Sequence, residues 1–266
     1  MKQRRGKTGG NDRGRPEKDG SEILYGVHAV SEALAAGRRR FEKIMMSRDK
    51  GGAASILDTA TRLHIPVETV PRVHLDTVTN QAVHQGVAAM VSPFPCETKE
   101  TFSHITGNHH EPFLLILDSI VDPHNLGALI RTALCVGVDA IIIPKDRSVK
   151  PSPAVSKASA GAMEHSSIYL VTNVAKTIAE LKEMGLWVAG LDRDTDNRLY
   201  KTDLTGPMAI VVGGEDKGVR PLVKKQCDFL IAIPQKGAVN SLNASVAGAV
   251  VMYEAFRQRM SANSRI

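Results

Sequence analysis

The stretch "FLLILDSIVDPHNLGALIRTALCVGVDAIIIP", residues 113–144, decides the fold class. It holds two largely apolar, strand-like runs, "FLLILDSI" at 113–120 and "AIIIP" at 140–144, and between them a segment whose apolar residues recur at helical spacing. Runs that are apolar at every position are typical of strands buried on both faces, and a helix is the usual connection between parallel neighbours. The stretch therefore predicts a β–α–β unit.

The same alternation continues to the end of the chain. Strand-like runs such as "MAIVVGGE" and "DFLIAIP" alternate with helical segments, of which "AVSKASAGAMEH" is one and "NASVAGAVVMYEAFRQRM" is the last. We therefore predict an α/β fold over residues 113–266, with a parallel sheet covered by helices on both faces. An open parallel sheet binds its ligand at the carboxyl ends of the strands.

A smaller α/β unit is predicted over residues 21–95. "YGVHAVSEALAAG" has the pattern of a helix ended by glycine, "FEKIMMS" and "PVETV" of strands, and "QGVAAMVSPF" of a closing strand. Residues 96–112 are polar and have proline near both ends, which indicates a linker with one short helix. The arginines at 38–40 follow a helix end, where they would complement the helix dipole or meet a phosphate.

Composition favours a cytoplasmic protein with an anionic partner. The net charge is +6, no apolar run reaches the roughly 18 residues of a membrane span, and the N-terminus lacks the apolar core of a secretory signal. The three cysteines are scattered, as in a reducing compartment. Aromatic residues make up only 4% of the chain, so bound RNA would be held through its backbone and shape more than by stacking.

Residues 1–20 are rich in glycine, lysine and arginine and have no apolar periodicity. Such a segment cannot bury a core, so we expect it to be disordered. It is either a solvated tail or a basic arm that increases affinity for RNA by releasing counterions.

Standard cofactor and metal patterns do not match. A dinucleotide-binding turn needs G-x-G-x-x-G after the first strand and an acid after the second, but the chain has a single glycine, Gly127, and the pair Pro144-Lys145 at those places. "GGEDKG" lacks the Gly-Lys-Ser/Thr ending of a phosphate-binding loop. The adjacent His109 and His110 have no further ligands at suitable spacing, so no metal is expected.

Three polar clusters follow predicted strands. The first contains Asn125, which could instead cap its helix, and Arg131, which could instead lie on a solvated face. The second places Glu215 after two glycines that allow a tight turn or a close approach to a ligand. The third places Ser241 and Asn243 at the start of the last helix, where only one cap is needed. Together they predict a site at one edge of the sheet.

These clusters resemble the three motifs of the SpoU, or TrmH-like, branch of the SPOUT methyltransferases. The motifs have the forms N-x-G-x-x-x-R, G-x-E-x-x-G and S-L-N-x-S-V-A, and here they stand as residues 125–131, 213–218 and 241–247. Their order and separation match over about 113–260, and Ala244 stands where the family often has valine. "YGVHAVSEAL" and "HQGVAA" resemble the small RNA-binding domain of the RlmB-type subgroup.

The resemblance implies an S-adenosylmethionine-dependent RNA methyltransferase. It implies methylation of the ribose 2′-hydroxyl of a guanosine in the P-site loop of 23S ribosomal RNA, a C-terminal trefoil knot that forms the cofactor pocket, and a homodimer with the site near the subunit interface. The catalytic residues that it implies are Asn125, Arg131, Glu215, Ser241 and Asn243. The residues that it places around the cofactor are Gly213, Ile233 and Leu242.

Two aspects stay open at the level of sequence. Arg131 could act as a base, but a guanidinium is very hard to deprotonate, so we favour a hydrogen-bond donor that stabilises the developing alkoxide, with water or another group as the base. The alternative functions are a transfer-RNA ribose 2′-O-methyltransferase and a non-catalytic RNA-binding assembly factor. A nucleotide-dependent dehydrogenase is more distant, because its glycine pattern is missing.

Overall fold

The structure is a computed structural model that describes residues 20–48, 54–98, 102, 105, 111–215, 217–236 and 241–263. The predicted basic tail, apart from Gly20, lies outside the described residues, as do most of residues 96–112. No helix among the described residues is both long and apolar enough to cross a bilayer.

The N-terminal unit is a four-stranded sheet with helices on both faces. Its strands lie in the order β1-β4-β2-β3, with β2 and β3 parallel and the other pairs antiparallel. Apolar side chains of α1 and α2 pack on one face, and Leu75 of α3 packs on the other. Strand β1 and helix α3 were not predicted. The elements are β1 (Glu22–Tyr25), α1 (Val27–Ala36), β2 (Phe41–Ser47), α2 (Ala54–Arg62), β3 (Val67–Val70), α3 (Arg72–Val78) and β4 (Val87–Val91).

The C-terminal unit is a six-stranded sheet in which all neighbouring strands are parallel, which confirms the predicted sheet. The strand order is β10-β8-β9-β5-β6-β7. The strands are β5 (Phe113–Asp118), β6 (Ala140–Pro144), β7 (Ile168–Val171), β8 (Trp187–Leu191), β9 (Met208–Gly213) and β10 (Phe229–Ile231). The helices are α4 (Pro123–Cys135), α5 (Pro153–Ala158), α6 (Ala162–His165), α7 (Val174–Glu183), α8 (Pro221–Lys224) and α9 (Ala244–Asn263).

Helices cover both faces of this sheet, as the continuous apolar strands predict. One face packs against α4, α5, α6 and α9, with Leu129 and Val251 among the buried contacts. The other face packs against α7 and α8, and against Phe102 and Ile105, the two described residues of the predicted linker interior. The apolar strand residues are thereby removed from water on both sides.

The segment 154–165 forms two short helices instead of the single helix that its pattern predicts. Ala160 and Gly161 between them have φ angles of 52° and 85°. Because left-handed backbone cannot continue a right-handed helix, the chain turns there. The turn also packs tightly on α1, and this requires glycine at position 161, since a Cβ there would come within 2.5 Å of the Glu32 side chain.

The strand order reverses between β5 and β9. From β5 the chain adds β6 and β7 on one side, whereas β9, β8 and β10 lie on the other side. Crevices in parallel sheets open at such a reversal, beyond the carboxyl ends of the strands. Asp118, at the end of β5, pairs in register with Gly213, at the end of β9, so the loops that follow them meet at this edge.

The two units are joined by a buried ion pair. Arg39 Nε donates to Glu164 Oε2 at 2.8 Å, and neither side chain is accessible to solvent. Arg39 also donates to Glu22 Oε2 at 2.7 Å, and Glu164 accepts from Ser156 Oγ at 2.7 Å. The expectation that residue 39 complements a helix dipole or meets phosphate is therefore wrong.

Candidate functional site

Three side chains from separate elements form a hydrogen-bonded cluster at the strand-order reversal. Asn125 Nδ2 and Asn243 Nδ2 both donate to Glu215 Oε1, each at 2.5 Å. Asn243 Nδ2 also donates to Asn125 Oδ1 at 3.0 Å. The cluster joins α4, the loop after β9 and the start of α9, so one residue from each predicted motif meets at this point.

Asn243 serves the cluster and the last helix at the same time. Its Oδ1 accepts from the Ser245 backbone N–H at 2.9 Å, from Ser245 Oγ at 2.6 Å and from the Val246 N–H at 3.3 Å. These contacts satisfy backbone donors that a helix start leaves unpaired. The side-chain oxygen Oδ1 of Asn243 thus caps the helix, and the side-chain nitrogen Nδ2 belongs to the hydrogen-bonded cluster.

Asn125 is not the cap of its helix, so that alternative interpretation is wrong. The cap of α4 is Asp122, whose Oδ1 accepts from the His124 N–H at 2.9 Å, and Pro123 occupies the first helical position. The first turn therefore needs nothing from Asn125. Asn125 lies within the helix, and its largely buried side chain forms hydrogen bonds with Glu215 and Asn243.

The two glycines before Glu215 pack against the protein itself. A Cβ at Gly213 would overlap the backbone of Gly218, and one at Gly214 would overlap the carbonyl oxygen of Ser119. Gly214 also accepts a hydrogen bond from the Gly218 N–H at 2.9 Å, which closes the loop. Of the two roles predicted for the glycines, the described contacts are those of a tight turn, and this turn fixes the position of Glu215.

A buried carboxylate anchors the far end of this loop. Asp118 is fully buried, and it accepts from the backbone N–H of Arg220 at 2.8 Å and from its Nε at 2.7 Å. This pair is not among the contacts predicted from the sequence. A charged residue at the end of an otherwise apolar strand is the signal that could have revealed it, because a buried carboxylate needs a partner.

A cavity of about 260 Å³ lies beside the cluster, beyond the ends of β8, β9 and β10. Gly213, Ile233 and Leu242, the three residues expected around a cofactor, all line it. So do Glu215 and Ser241. Residues 237–240 lie outside the described residues.

Apolar residues and residues of both charges line the cavity. Val212, Ile231 and Ala247 contribute apolar surface, and Asp192 lies at the edge, where its carboxylate pairs with Lys224 Nζ at 2.5 Å. Partial burial raises the pKa of Asp192, but the hydrogen bond and charge of Lys224 outweigh it and hold the pKa below its ordinary value. Asp192 therefore stays negatively charged at neutral pH.

Arg131 is the predicted site residue that the chain does not bring to the cluster. It lies six residues after Asn125 on α4, which places it about 9 Å further along the axis and about 120° around it. Its side chain is exposed, lines neither cavity at this edge, and makes no hydrogen bond or ion pair with the residues that the structure describes.

No group of three or more potential metal ligands occurs among the described residues, which do not include His109 and His110.

Two sequence profiles match the chain. The profile described as "SpoU rRNA Methylase family" matches residues 112–253, and that described as "RNA 2'-O ribose methyltransferase substrate binding" matches residues 23–95. The chain belongs to the SpoU rRNA methylase family. The resemblance seen in the three motifs is thereby confirmed.

Similar proteins agree with this assignment. The 23S rRNA (guanosine-2'-O-)-methyltransferase RlmB of Photorhabdus laumondii is 40% identical over 243 residues, covering 91% of this SpoU chain and 100% of its own length. The SpoU methyltransferase AviRb of Streptomyces viridochromogenes, solved with AdoMet, covers 91% of this chain and 92% of its own, with a TM-score of 0.76 and 23% identity. The A. aeolicus TrmH/SpoU tRNA modifying enzyme covers 62% of this chain and 83% of its own, with a TM-score of 0.52 and 27% identity.

Proposed function

We propose that the protein transfers a methyl group from S-adenosylmethionine to the ribose 2′-hydroxyl of a guanosine in 23S ribosomal RNA, within the P-site loop. The observation that carries the proposal is the cluster of Asn125, Glu215 and Asn243, which brings three family motifs together beside a cavity. The RlmB relative is named as a 23S rRNA (guanosine-2'-O-)-methyltransferase and aligns over its whole length, which supports 23S ribosomal RNA as the substrate.

The residues around the 260 Å³ cavity fit S-adenosylmethionine. The purine of the cofactor would pack against the apolar surface of Ile231, Ile233 and Leu242. Its hydroxyl and ammonium groups are suited by the ionised Asp192 and the exposed Ser241 at the edge. When bound, S-adenosylmethionine supplies a methyl group on a positively charged sulfur, which leaves as a neutral thioether when the ribose oxygen takes the methyl.

The residues of the chain orient the ribose and stabilise charge. Glu215 is held by two amide donors, so its carboxylate points in a fixed direction from which it can accept a ribose hydroxyl hydrogen bond. Arg131 donates hydrogen bonds to the oxygen as negative charge develops there, and the hydroxyl proton passes to water or another group. Ser241, at the mouth of the cavity, completes the polar wall.

We further propose a homodimer in which Arg131 serves the site from the subunit interface. Arg131 and Leu134 are exposed on α4. On the neighbouring α9, Val246, Tyr253 and Met260 are each about half exposed and recur every seven residues, which makes an apolar stripe along one face. Apolar stripes of this kind are typical of helix-packing interfaces.

The two proposals about Arg131 make a joint prediction. The Arg131→Ala variant should lose methyl transfer and keep its affinity for S-adenosylmethionine. If the site combines Arg131 of one subunit with Asn243 of the other, mixing Arg131→Ala with inactive Asn243→Asp after unfolding and refolding should restore about a quarter of wild-type activity, because half of the dimers are mixed and each has one intact site. Turnover by Arg131→Ala near the wild-type rate would contradict the catalytic role, and no recovery on mixing would contradict the shared site.

Three features accompany the proposal on the strength of the family resemblance. They are a trefoil knot in the C-terminal segment, a division into an RNA-binding domain at 21–95 and a methyltransferase domain at 113–266 joined by 96–112, and action in the cytoplasm. The substrate-binding profile over residues 23–95 supports the role of the first domain in holding RNA.

Ribosomal RNA is favoured over transfer RNA by the N-terminal unit. The tRNA-modifying SpoU structure aligns with only 62% of this chain, whereas the RlmB relative aligns with 91%. The test is to incubate the protein with labelled S-adenosylmethionine and separate pools of undermodified ribosomal and transfer RNA, and to map the methylated ribose. Labelling of transfer RNA alone would overturn the substrate. A protein that binds RNA without binding S-adenosylmethionine would instead be a non-catalytic assembly factor.

A further inference from the structure

A second cavity, of about 370 Å³, lies on the other side of the hydrogen-bonded cluster. Glu215 and Ala244 line both cavities, whereas Asn125 lines only the second one and Leu242 only the first. The cluster therefore lies between the two cavities, with Glu215 in contact with both. Ligands bound in the two cavities would therefore both be close to Glu215.

The second cavity is lined by apolar and by charged residues. Ile120 and Val121 supply apolar surface, and the side chain of Val121 is 71% exposed at the mouth. Asp122 supplies a carboxylate, and Arg147, Lys217 and Arg220 supply three cationic groups. A volume of this size accommodates a small ligand, and the cations favour one that carries negative charge.

Of these cations, Arg220 is already paired, whereas Arg147 and Lys217 make no hydrogen bond or ion pair with the described residues. The guanidinium of Arg220 is engaged by Asp118, at 2.6 and 2.7 Å. Arg147 is exposed and makes no hydrogen bond or ion pair within the part of the chain that the structure describes. Its planar fork of donors matches the geometry of a phosphate.

The backbone holds Arg147 at this cavity. The loop between β6 and α5 is tied to the loop after β5 by two contacts with the Ile120 carbonyl oxygen, from Ser148 Oγ at 3.0 Å and from the Val149 N–H at 2.8 Å. Arg147 and Ser119, one from each loop, have φ angles of 59° and 67°. Left-handed backbone at residues other than glycine is uncommon and occurs often at ligand-binding loops.

We propose that the second cavity receives the target nucleotide of the RNA, and that Arg147 anchors a phosphate next to its ribose. The proposal rests on the proposed function, because it takes the 260 Å³ cavity as the cofactor side. It places the ribose against Glu215 and Asn125, with its base among Ile120, Val121 and Asp122. An unpaired nucleotide turned out of its strand has this shape, a base with one ribose and a phosphate at the edge.

The first test compares Arg147→Ala with Lys176→Ala, a matched variant that removes one exposed positive charge from α7 on the opposite face of the sheet. RNA affinity is measured by filter binding to a fragment of 23S ribosomal RNA, over a range of salt concentrations. Arg147→Ala should weaken binding about tenfold, as expected for a charge-assisted hydrogen bond, and should make the slope of log K against log salt shallower by about 0.7. Lys176→Ala should change affinity less than about twofold, and Arg147→Lys should keep the salt slope while losing part of the affinity.

The second test neutralises the phosphate. An RNA with one methylphosphonate beside the methylated nucleotide should bind the wild type about tenfold more weakly, with no further loss for Arg147→Ala, because the two changes remove the same contact. The proposal is overturned if Arg147→Ala behaves like Lys176→Ala, or if it weakens binding of S-adenosylmethionine. A wild-type protein that binds RNA but transfers no methyl group would contradict the proposed function alone, since the binding comparison remains valid.

Discussion

The side-chain oxygen and nitrogen of Asn243 contact different parts of the molecule. Its oxygen caps α9, and its nitrogen donates to Asn125 and Glu215. Substitutions at this position can therefore separate the stability of the helix from the geometry of the site.

Asn243→Asp should reduce methyl transfer much more than it reduces stability. Aspartate caps a helix as well as asparagine does, but it lacks the donor nitrogen and places a second carboxylate against Glu215. We expect methyl transfer to fall about a hundredfold, since the hydrogen bonds that Asn243 Nδ2 donates to the Glu215 carboxylate and to the Asn125 amide oxygen are both lost. Asn243→Ala should lose activity and also about 1 kcal/mol of stability through the missing cap. Thermal unfolding and initial rates of the two variants measure both effects, and equal destabilisation would contradict the capping role.

The site residues were predictable to different degrees. Glu215 was found because a polar side chain after an apolar strand run is unusual, and Ser241 and Asn243 because the start of the last helix needs only one cap. The structure places Glu215 and Ser241 around one cavity, and Asn243 donates a hydrogen bond to Glu215 beside it. The cap was assigned to Asn125 as an alternative because Asn and Asp are both good caps and two of them lie close together at the start of α4. Sequence spacing alone does not settle which of the two has the extended backbone that a cap requires, and that residue is Asp122.

At the scale of elements, glycine allows α4 to approach its neighbours. A Cβ at Gly127 would lie 2.5 Å from the Ala158 Cβ and 2.8 Å from the backbone between Ala158 and Ser159. The family motif thus has a packing reason for its glycine, because α5 has no side chain there that can move aside.

Gly127→Ala should destabilise the protein, whereas Gly248→Ala should be close to neutral. Both changes gain about 1 kcal/mol of helix propensity. At Gly127 the new methyl group meets backbone, and overpacking of this kind costs about 1–3 kcal/mol. At Gly248 it meets the end of the Leu129 side chain, which has other rotamers. Urea unfolding of the two variants gives the comparison, and a Gly127→Ala variant at least as stable as Gly248→Ala would refute it.

Elements with strong periodicity were predicted, and weakly patterned ones were not. Strand β6 is apolar throughout, β5 is apolar up to its final Asp118, and α9 is rich in small apolar residues, so their types follow from sequence. Strand β1 has only four residues, and α3 buries only Leu75, so neither carries enough signal. Strand order also escaped prediction, because register between strands distant in sequence depends on tertiary packing.

At the scale of the whole molecule, the ion pair of Arg39 and Glu164 joins the N-terminal unit to the C-terminal unit. The residues are 125 positions apart, and neither side chain is accessible to solvent. A spacing of that kind leaves no trace in local sequence patterns, so the arginine run could only be assigned to the surface. The fixed arrangement sets one distance between the two surfaces that RNA would touch.

Breaking this pair from one side should be costly. Arg39→Met alone leaves the buried Glu164 without its ion-pair partner, and we expect a loss of about 3–5 kcal/mol in the free energy of unfolding. Glu164→Met should cost less, because Arg39 keeps its ion pair with Glu22. The double variant should lose clearly less than the sum, because no charge remains buried at Glu164, and Glu22, the other partner of Arg39, is 26% exposed to water. Urea unfolding of the four proteins completes the cycle. Additive losses would show that the two side chains act independently.

The shared role of Asn243 also links the site to local unfolding. When the first turn of α9 opens, the N–H groups of Ser245 and Val246 lose their acceptor, and the same motion withdraws the donor nitrogen from Glu215. The turn and the reaction site therefore belong to one cooperative unit, whose opening free energy sets the fraction of molecules that are folded yet catalytically incompetent.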